Sequence, residues 1–299
     1  MRSRLVPCVV ALVNVGWLAY LWWGHWDDAN TAVWIASSVA VAGSVLGVVV
    51  PPRLARAHIA IAGVLMLWVA GYAATGVVGH WPFAWEALAD PRYAAFITLM
   101  GVVVGIGLLC GAFWARWAAL AFAVGSMLGG ALNSINLGGA RNETAWLPAI
   151  GVMGGLTVFT QLMRASVREH VAQSTKHALW TSRDRVIRSA RWAAIANFAA
   201  APMLLLYALG QPVAPETVVS ALVLAPILGI GCALVVARRT AGVVILALGG
   251  VGLIAHSIAS ASYVAAMNLP IVGYYAAFWL PAAALGIIAG VLALLRARR

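Results

Sequence analysis

The lysines and arginines of this chain are confined to alternate gaps between its hydrophobic stretches. All but Arg92 and Arg141 of the 19 obey the rule. Arg2 and Arg4 precede the first stretch, and Arg53 and Arg56 follow the second. Arg116 follows the fourth, the block from Arg164 to Arg191 follows the sixth, and Arg238 and Arg239 follow the eighth. Arg296, Arg298 and Arg299 close the chain. Membrane proteins keep Lys and Arg on the cytoplasmic side of the bilayer. The alternation therefore predicts ten crossings, an even number, with the N- and C-termini both cytoplasmic. An odd number of overlooked helices would reverse the later gaps, and no reversal occurs. Asp27, Asp28, Glu86, Asp90, Glu143 and Glu216 fall on the opposite side, a secondary agreement.

Composition supports this layout. Of the 299 residues, 64% are hydrophobic and only 9% charged, against about 25% charged in a soluble domain. The apolar runs are about 20 residues long, the length at which a helix crosses roughly 30 Å of hydrocarbon. Inside lipid each segment must satisfy its own backbone, which selects helix. A β-barrel strand would alternate in polarity, and these runs do not. The fold class expected is an all-α, polytopic integral membrane bundle of about ten helices in the cytoplasmic (inner) membrane. The crossings fall at about 5–24, 31–50, 58–79, 93–115, 117–137, 145–164, 192–210, 216–237, 240–262 and 270–295. Residues 1–164 hold the first six and 192–299 the last four. Residues 165–191 form a basic connector, read as a helix on the inner surface that runs on into crossing seven.

A net charge of +11 here reads as topology, not as nucleic-acid binding, because the cations face anionic lipid headgroups at the inner surface. In the connector, Lys176, Arg183, Arg185 and Arg188 are the expected contacts for lipid or for a cytoplasmic partner subunit. The tryptophans obey the same frame. Trp22, Trp23, Trp26, Trp34, Trp81, Trp85 and Trp146 gather at the outer boundary, and Trp114, Trp117 and Trp192 at the inner one, as indole rings at headgroup level do. Arg2 and Arg4 before an apolar run resemble the start of a signal peptide. No small-residue cleavage site precedes Trp22-Trp23-Gly24, so the segment is expected to remain as an anchor. Cys8, Cys110 and Cys232 have no metal-ligand spacing and read as small core residues.

Glycines one turn apart recur within crossings: Gly43/Gly47, Gly101/Gly105, Gly125/Gly129, Gly151/Gly155 and Gly286/Gly290. Such pairs let helix backbones approach closely in lipid. Pro202, Pro226 and Pro281 sit mid-crossing in the second half, where a missing backbone hydrogen bond favours bending around a cavity.

Polar groups within a bilayer are costly and are the first place to look for function. His256 is the one histidine deep in a crossing. Gly249, Gly252, His256, Ser260 and Tyr263 share one helical face. Tyr274, Tyr275 and Trp279 on crossing ten are placed to complete a site there. Neutral imidazole donates and accepts, and it titrates near working pH. On crossing five, Ser126, Gly129, Asn133 and Asn136 form a second polar stripe. Asn14, Thr157, Gln161 and Asn197 read as isolated packing groups. Outside the membrane, Gly24-His25-Trp26 with Asp27 and Asp28, and Gly79-His80-Trp81 with Glu86 and Asp90, form a metal-site candidate. There is no phosphate-binding loop and no His-Glu-x-x-His motif, and no cofactor is expected. The function expected is a small-molecule permease with His256, Asn133 and Asn136 as substrate or proton contacts. One alternative is a non-transporting subunit that anchors a larger complex. A third is a membrane-embedded enzyme with an outer-face site of His25, His80 and nearby acids.

Overall fold

The computed structural model describes residues 2–24, 31–78, 91–136, 146–174, 184–210, 215–237, 239–266 and 272–298. Among them are eleven α-helices and no strand. In chain order they are α1 (Arg2–Gly24), α2 (Thr31–Val49), α3 (Ala55–Val78), α4 (Pro91–Leu109), α5 (Phe113–Asn136), α6 (Trp146–Leu162), α7 (Ala165–Ser174), α8 (Arg185–Gly210), α9 (Pro215–Val236), α10 (Thr240–Ala266) and α11 (Val272–Ala297). Among the described residues, five helices are long and apolar enough to cross a membrane, or six if the bent pair α6–α7 is counted as one span.

Several helices expose long apolar faces, although Leu246 and Leu253 of α10 are buried with its polar residues. Along α10, Val244, Leu248, Val251 and Ile258 are exposed, whereas His256, Ser257 and Ser260 are buried. On α11 the exposed face carries Leu280, Ile288, Val291 and Leu294, and the buried face Trp279, Ala282, Ala283 and Ala289. Apolar stripes this long would be strongly unfavourable against water. Against hydrocarbon they cost nothing, and the small and polar residues turn inward where helices must meet.

The chain divides into two compact units, residues 1–176 and 177–299. In the first, α6 is the hub and packs against α1, α2, α3 and α5. Glycines permit the close approach. A side chain at Gly101 would meet the backbone of Met66 and Ala70 on α3. One at Gly155 would meet Ala123 O on α5 at 2.7 Å. In the second unit, α8, α9, α10 and α11 close a ring in which each helix packs on the next and α11 returns to α8. Here a Cβ on Gly242 would meet the backbone of Gly231, Leu234 and Val235, and one on Gly286 would strike Leu246 O.

Two expectations about boundaries need correction. The break between the fourth and fifth crossings lies at 110–112, not at Arg116. Gly111 adopts φ 73°, a left-handed conformation that glycine tolerates, and ends α4 in a Schellman motif. Its N–H donates to Leu108 O at 3.0 Å and that of Ala112 to Gly107 O at 2.8 Å. Arg116 therefore belongs to the first turn of α5 and is buried. It donates to Leu162 O at the end of α6, at 3.0 Å, with its guanidinium 4.7 Å from the centroid of the Trp117 ring. The connector is also more than one surface helix. α7 bends away from α6 by 62°, and α8 begins at Arg185, seven residues earlier than the crossing was expected to start. Of the cysteines, Cys232 is buried as expected and donates to Ala194 O, but Cys110 is exposed beyond the end of α4.

Candidate functional site

The second unit carries the candidate site. His256 comes from the buried face of α10 and is 2% exposed. Its Nδ1 lies 2.7 Å from Ser220 Oγ on α9, and its Nε2 lies 3.5 Å from Ser260 Oγ one turn along α10. Trp279 of α11, fully buried, closes over the imidazole edge-to-face with ring centroids 4.7 Å apart. Three helices thus converge on one ring.

Two arrangements of protons satisfy these contacts. Ser220 has a single hydroxyl proton, and Thr217 O lies 2.9 Å away, one turn back on α9. With its proton there, Ser220 accepts from Nδ1–H and Nε2 holds the lone pair; with the proton turned to Nδ1, the two ring nitrogens exchange roles. Nε2 faces the Ser260 hydroxyl. A hydroxyl changes from donor to acceptor by rotating, so this pocket accommodates the ring with or without a second proton. Neither state leaves a ring nitrogen facing an incompatible atom.

The structure places His256, Ser260 and Trp279 together. Ser220 and Thr217, both on α9, were missed. The side chains of Tyr263, Tyr274 and Tyr275 lie outside the described residues, as do those of Asn133 and Asn136, which belong to the first unit. His25, Asp27, Asp28, His80, Lys176 and Arg183 also lie outside them. Among the described residues no group of three His, Cys, Asp or Glu side chains is placed to hold a metal ion. Arg185 and Arg188 are exposed on the first turn of α8. Asp184 caps that helix, accepting from the N–H of Val186 at 2.8 Å and pairing with Arg296 of α11 at 2.8 Å.

The first unit holds a polar cluster that the sequence reading treated as separate packing groups. Asn14 Nδ2 on α1 donates to Thr157 Oγ1 on α6 at 3.1 Å and to Ala40 O on α2 at 3.2 Å. Thr157 donates its own proton to Met153 O at 2.8 Å. One turn further along α6, Gln161 Oε1 lies 2.8 Å from Nδ1 of His58 on α3. His58 Nε2 lies 3.2 Å from Pro51 O in the α2–α3 turn. Arg164 donates to Gly47 O, and Ser166 to Pro52 O. Thr157 and Gln161 face Gly43 and Gly47, where a Cβ would meet Thr157 Cγ2 and overlap the Gln161 amide. The glycine pair on α2 and the polar pair on α6 share a spacing of four, and that shared spacing is the signal available in the sequence.

Comparison with protein-family models, with curated proteins and with solved structures yields no match.

Proposed function

We propose that this chain is a polytopic protein of the cytoplasmic membrane that moves a small molecule. His256, Ser220 and Ser260 would be the groups that contact the substrate or carry a proton with it. The observation that supports this reading is a buried imidazole held between two serine hydroxyls inside a ring of lipid-facing helices. Polar groups at that depth are costly, and a purely packed core would use apolar side chains. Hydroxyls beside both ring nitrogens can pair with the imidazole with or without a second proton. The basic helix ends would face the cytoplasm and anionic lipid headgroups there. The experiment is a comparison of extracellular and intracellular metabolites in cells expressing wild type or His256→Ala. A compound whose distribution follows wild type and not an equally abundant, folded His256→Ala supports the permease. No wild-type-dependent compound, or full activity in the variant, removes it.

Close backbone packing at Gly242 and Gly286 favours a second reading, a rigid anchoring subunit. That reading expects a protein partner to co-purify with the chain and to be lost on Arg185→Gln with Arg188→Gln.

A further inference from the structure

His58 has an arrangement that His256 lacks. Both of its ring nitrogens face oxygens that only accept: the side-chain amide oxygen of Gln161 at 2.8 Å and the backbone carbonyl of Pro51 at 3.2 Å. A neutral imidazole has one N–H and one lone pair. In this setting the lone pair would point at an oxygen lone pair, a buried repulsive contact. The imidazolium has two N–H donors and satisfies both oxygens. The ring is fully buried, so solvent does not relieve the mismatch.

We propose that His58 is a proton-binding site at the end of the first unit that carries Arg53, Arg56 and Arg168. The protonated ring ties α3 to α6 through Gln161 and to the α2–α3 turn through Pro51. Loss of the Nδ1 proton makes that nitrogen an acceptor. The Gln161 amide then turns over to offer its NH2, and its oxygen moves toward Gly47. The amide already presses on the backbone of Gly47, leaving no room for a Cβ there, and the Gly47 carbonyl accepts from Arg164. The proton on His58 thus sets how α2, α3 and α6 are clasped at this end of the unit.

The surrounding charges define what the site must overcome. Arg164 of α6 opposes the added charge, as does burial; the two oxygens favour it. On α7, Arg168 and Glu169 are exposed and His170 is half-buried. Arg53 in the turn and Arg56 on α3 are exposed, as is Cys110 after α4. The described residues of α2 include no charged side chain.

The test is nitrogen NMR of the full chain, labelled with 15N-histidine, in detergent micelles. The His58 signals are identified by their loss in His58→Asn. Two N–H resonances at acid pH are expected, with conversion to a single N–H as the pH rises. Gln161→Glu places a carboxylate against Nδ1 and should raise the midpoint by about 1–3 pH units. Gln161→Met removes the acceptor and should lower it. A ring that keeps one N–H at every pH, or a midpoint that Gln161→Glu does not move, overturns the proposal. If Gln161→Met does not fold, the wild-type titration and Gln161→Glu still decide. Failure here leaves the permease reading intact, because that reading rests on His256 in the other unit.

Discussion

Ser220 and His256 are 36 residues apart in sequence, with Arg238 midway between them, and their side chains meet at 2.7 Å. Two helices folding back on each other at 237–239 bring positions equidistant from the turn to equal depth. The contact therefore follows from the hairpin formed by α9 and α10. Ser220→Ala removes the hydroxyl that meets the buried Nδ1 of His256. The expected loss of stability is about 1 kcal/mol, at the upper side of values typical for polar pairs in membrane bundles. Ser220→Thr keeps the hydroxyl and should recover most of it. Denaturant titration of the purified protein in mixed micelles measures both. Equal stability of Ser220→Ala and wild type would show that the contact does not hold the ring.

Much of this arrangement can be read from the sequence once the hairpin is taken seriously. Arg238 and Arg239 mark the turn, and reflecting His256 through it lands on Ser220. A search along single helical faces finds Ser260 but not a residue on the neighbouring helix. Basic residues and apolar run lengths account for the helices, because lipid imposes both. They do not locate the end of α4, where Gly111 decides, since a glycine that ends a helix looks like the glycines that pack one. His58 escaped notice because it sits near a helix end beside arginines, where histidine is ordinarily solvated. Gln161 of α6 and the α2–α3 turn close over it.

Glycines of the second unit that face backbone and one that faces open space should be separated by alanine substitution. A Cβ on Gly242 meets backbone of α9 at 2.5–2.9 Å, and one on Gly286 strikes Leu246 O. Backbone cannot rotate away, so Gly242→Ala and Gly286→Ala should each cost about 1–3 kcal/mol. Gly229 on α9 has nothing within 4 Å of an added Cβ. Gly229→Ala should be neutral or stabilising by up to about 1 kcal/mol, because alanine restricts the unfolded chain and favours helix. The same micelle titration reads all three. Similar losses at all three positions would show that close backbone approach is not what holds the ring of helices together.

Asn14 should prove expendable despite its burial. Its Nδ2 donates to Thr157 Oγ1 and Ala40 O, but its Oδ1 is buried with no hydrogen-bond partner among the described residues. Asn14→Leu removes two modest bonds together with one buried, unsatisfied oxygen. Thr157 keeps its own bond to Met153 O. These terms nearly cancel, and the expected change lies within about 0.5 kcal/mol, smaller than that of Ser220→Ala. A loss above about 2 kcal/mol would mean that the asparagine organises the contact of α1 with α6, not merely fills it.

Asp184 gives the chain a pH dependence at the start of α8. Its carboxyl is held below the usual carboxylate range. The main cause is the Val186 N–H it accepts, with smaller contributions from the Ile187 N–H and from Arg296. A carboxylate whose value is depressed in the folded state stabilises that state above its unfolded value. The contribution is lost as the pH falls through the folded one. The first turn of α8 should therefore be protected at neutral pH and fray in acid below the ordinary aspartate range. Amide hydrogen exchange at Val186 and Ile187 measures it. Asp184→Ala should fray the turn at neutral pH. Arg296→Gln should leave most of the protection in place, because the helix N–H groups contribute more than the exposed ion pair. Exchange at these amides that does not change with pH, or that depends on Arg296 more than on Asp184, would assign the end of α8 to the ion pair in place of the cap.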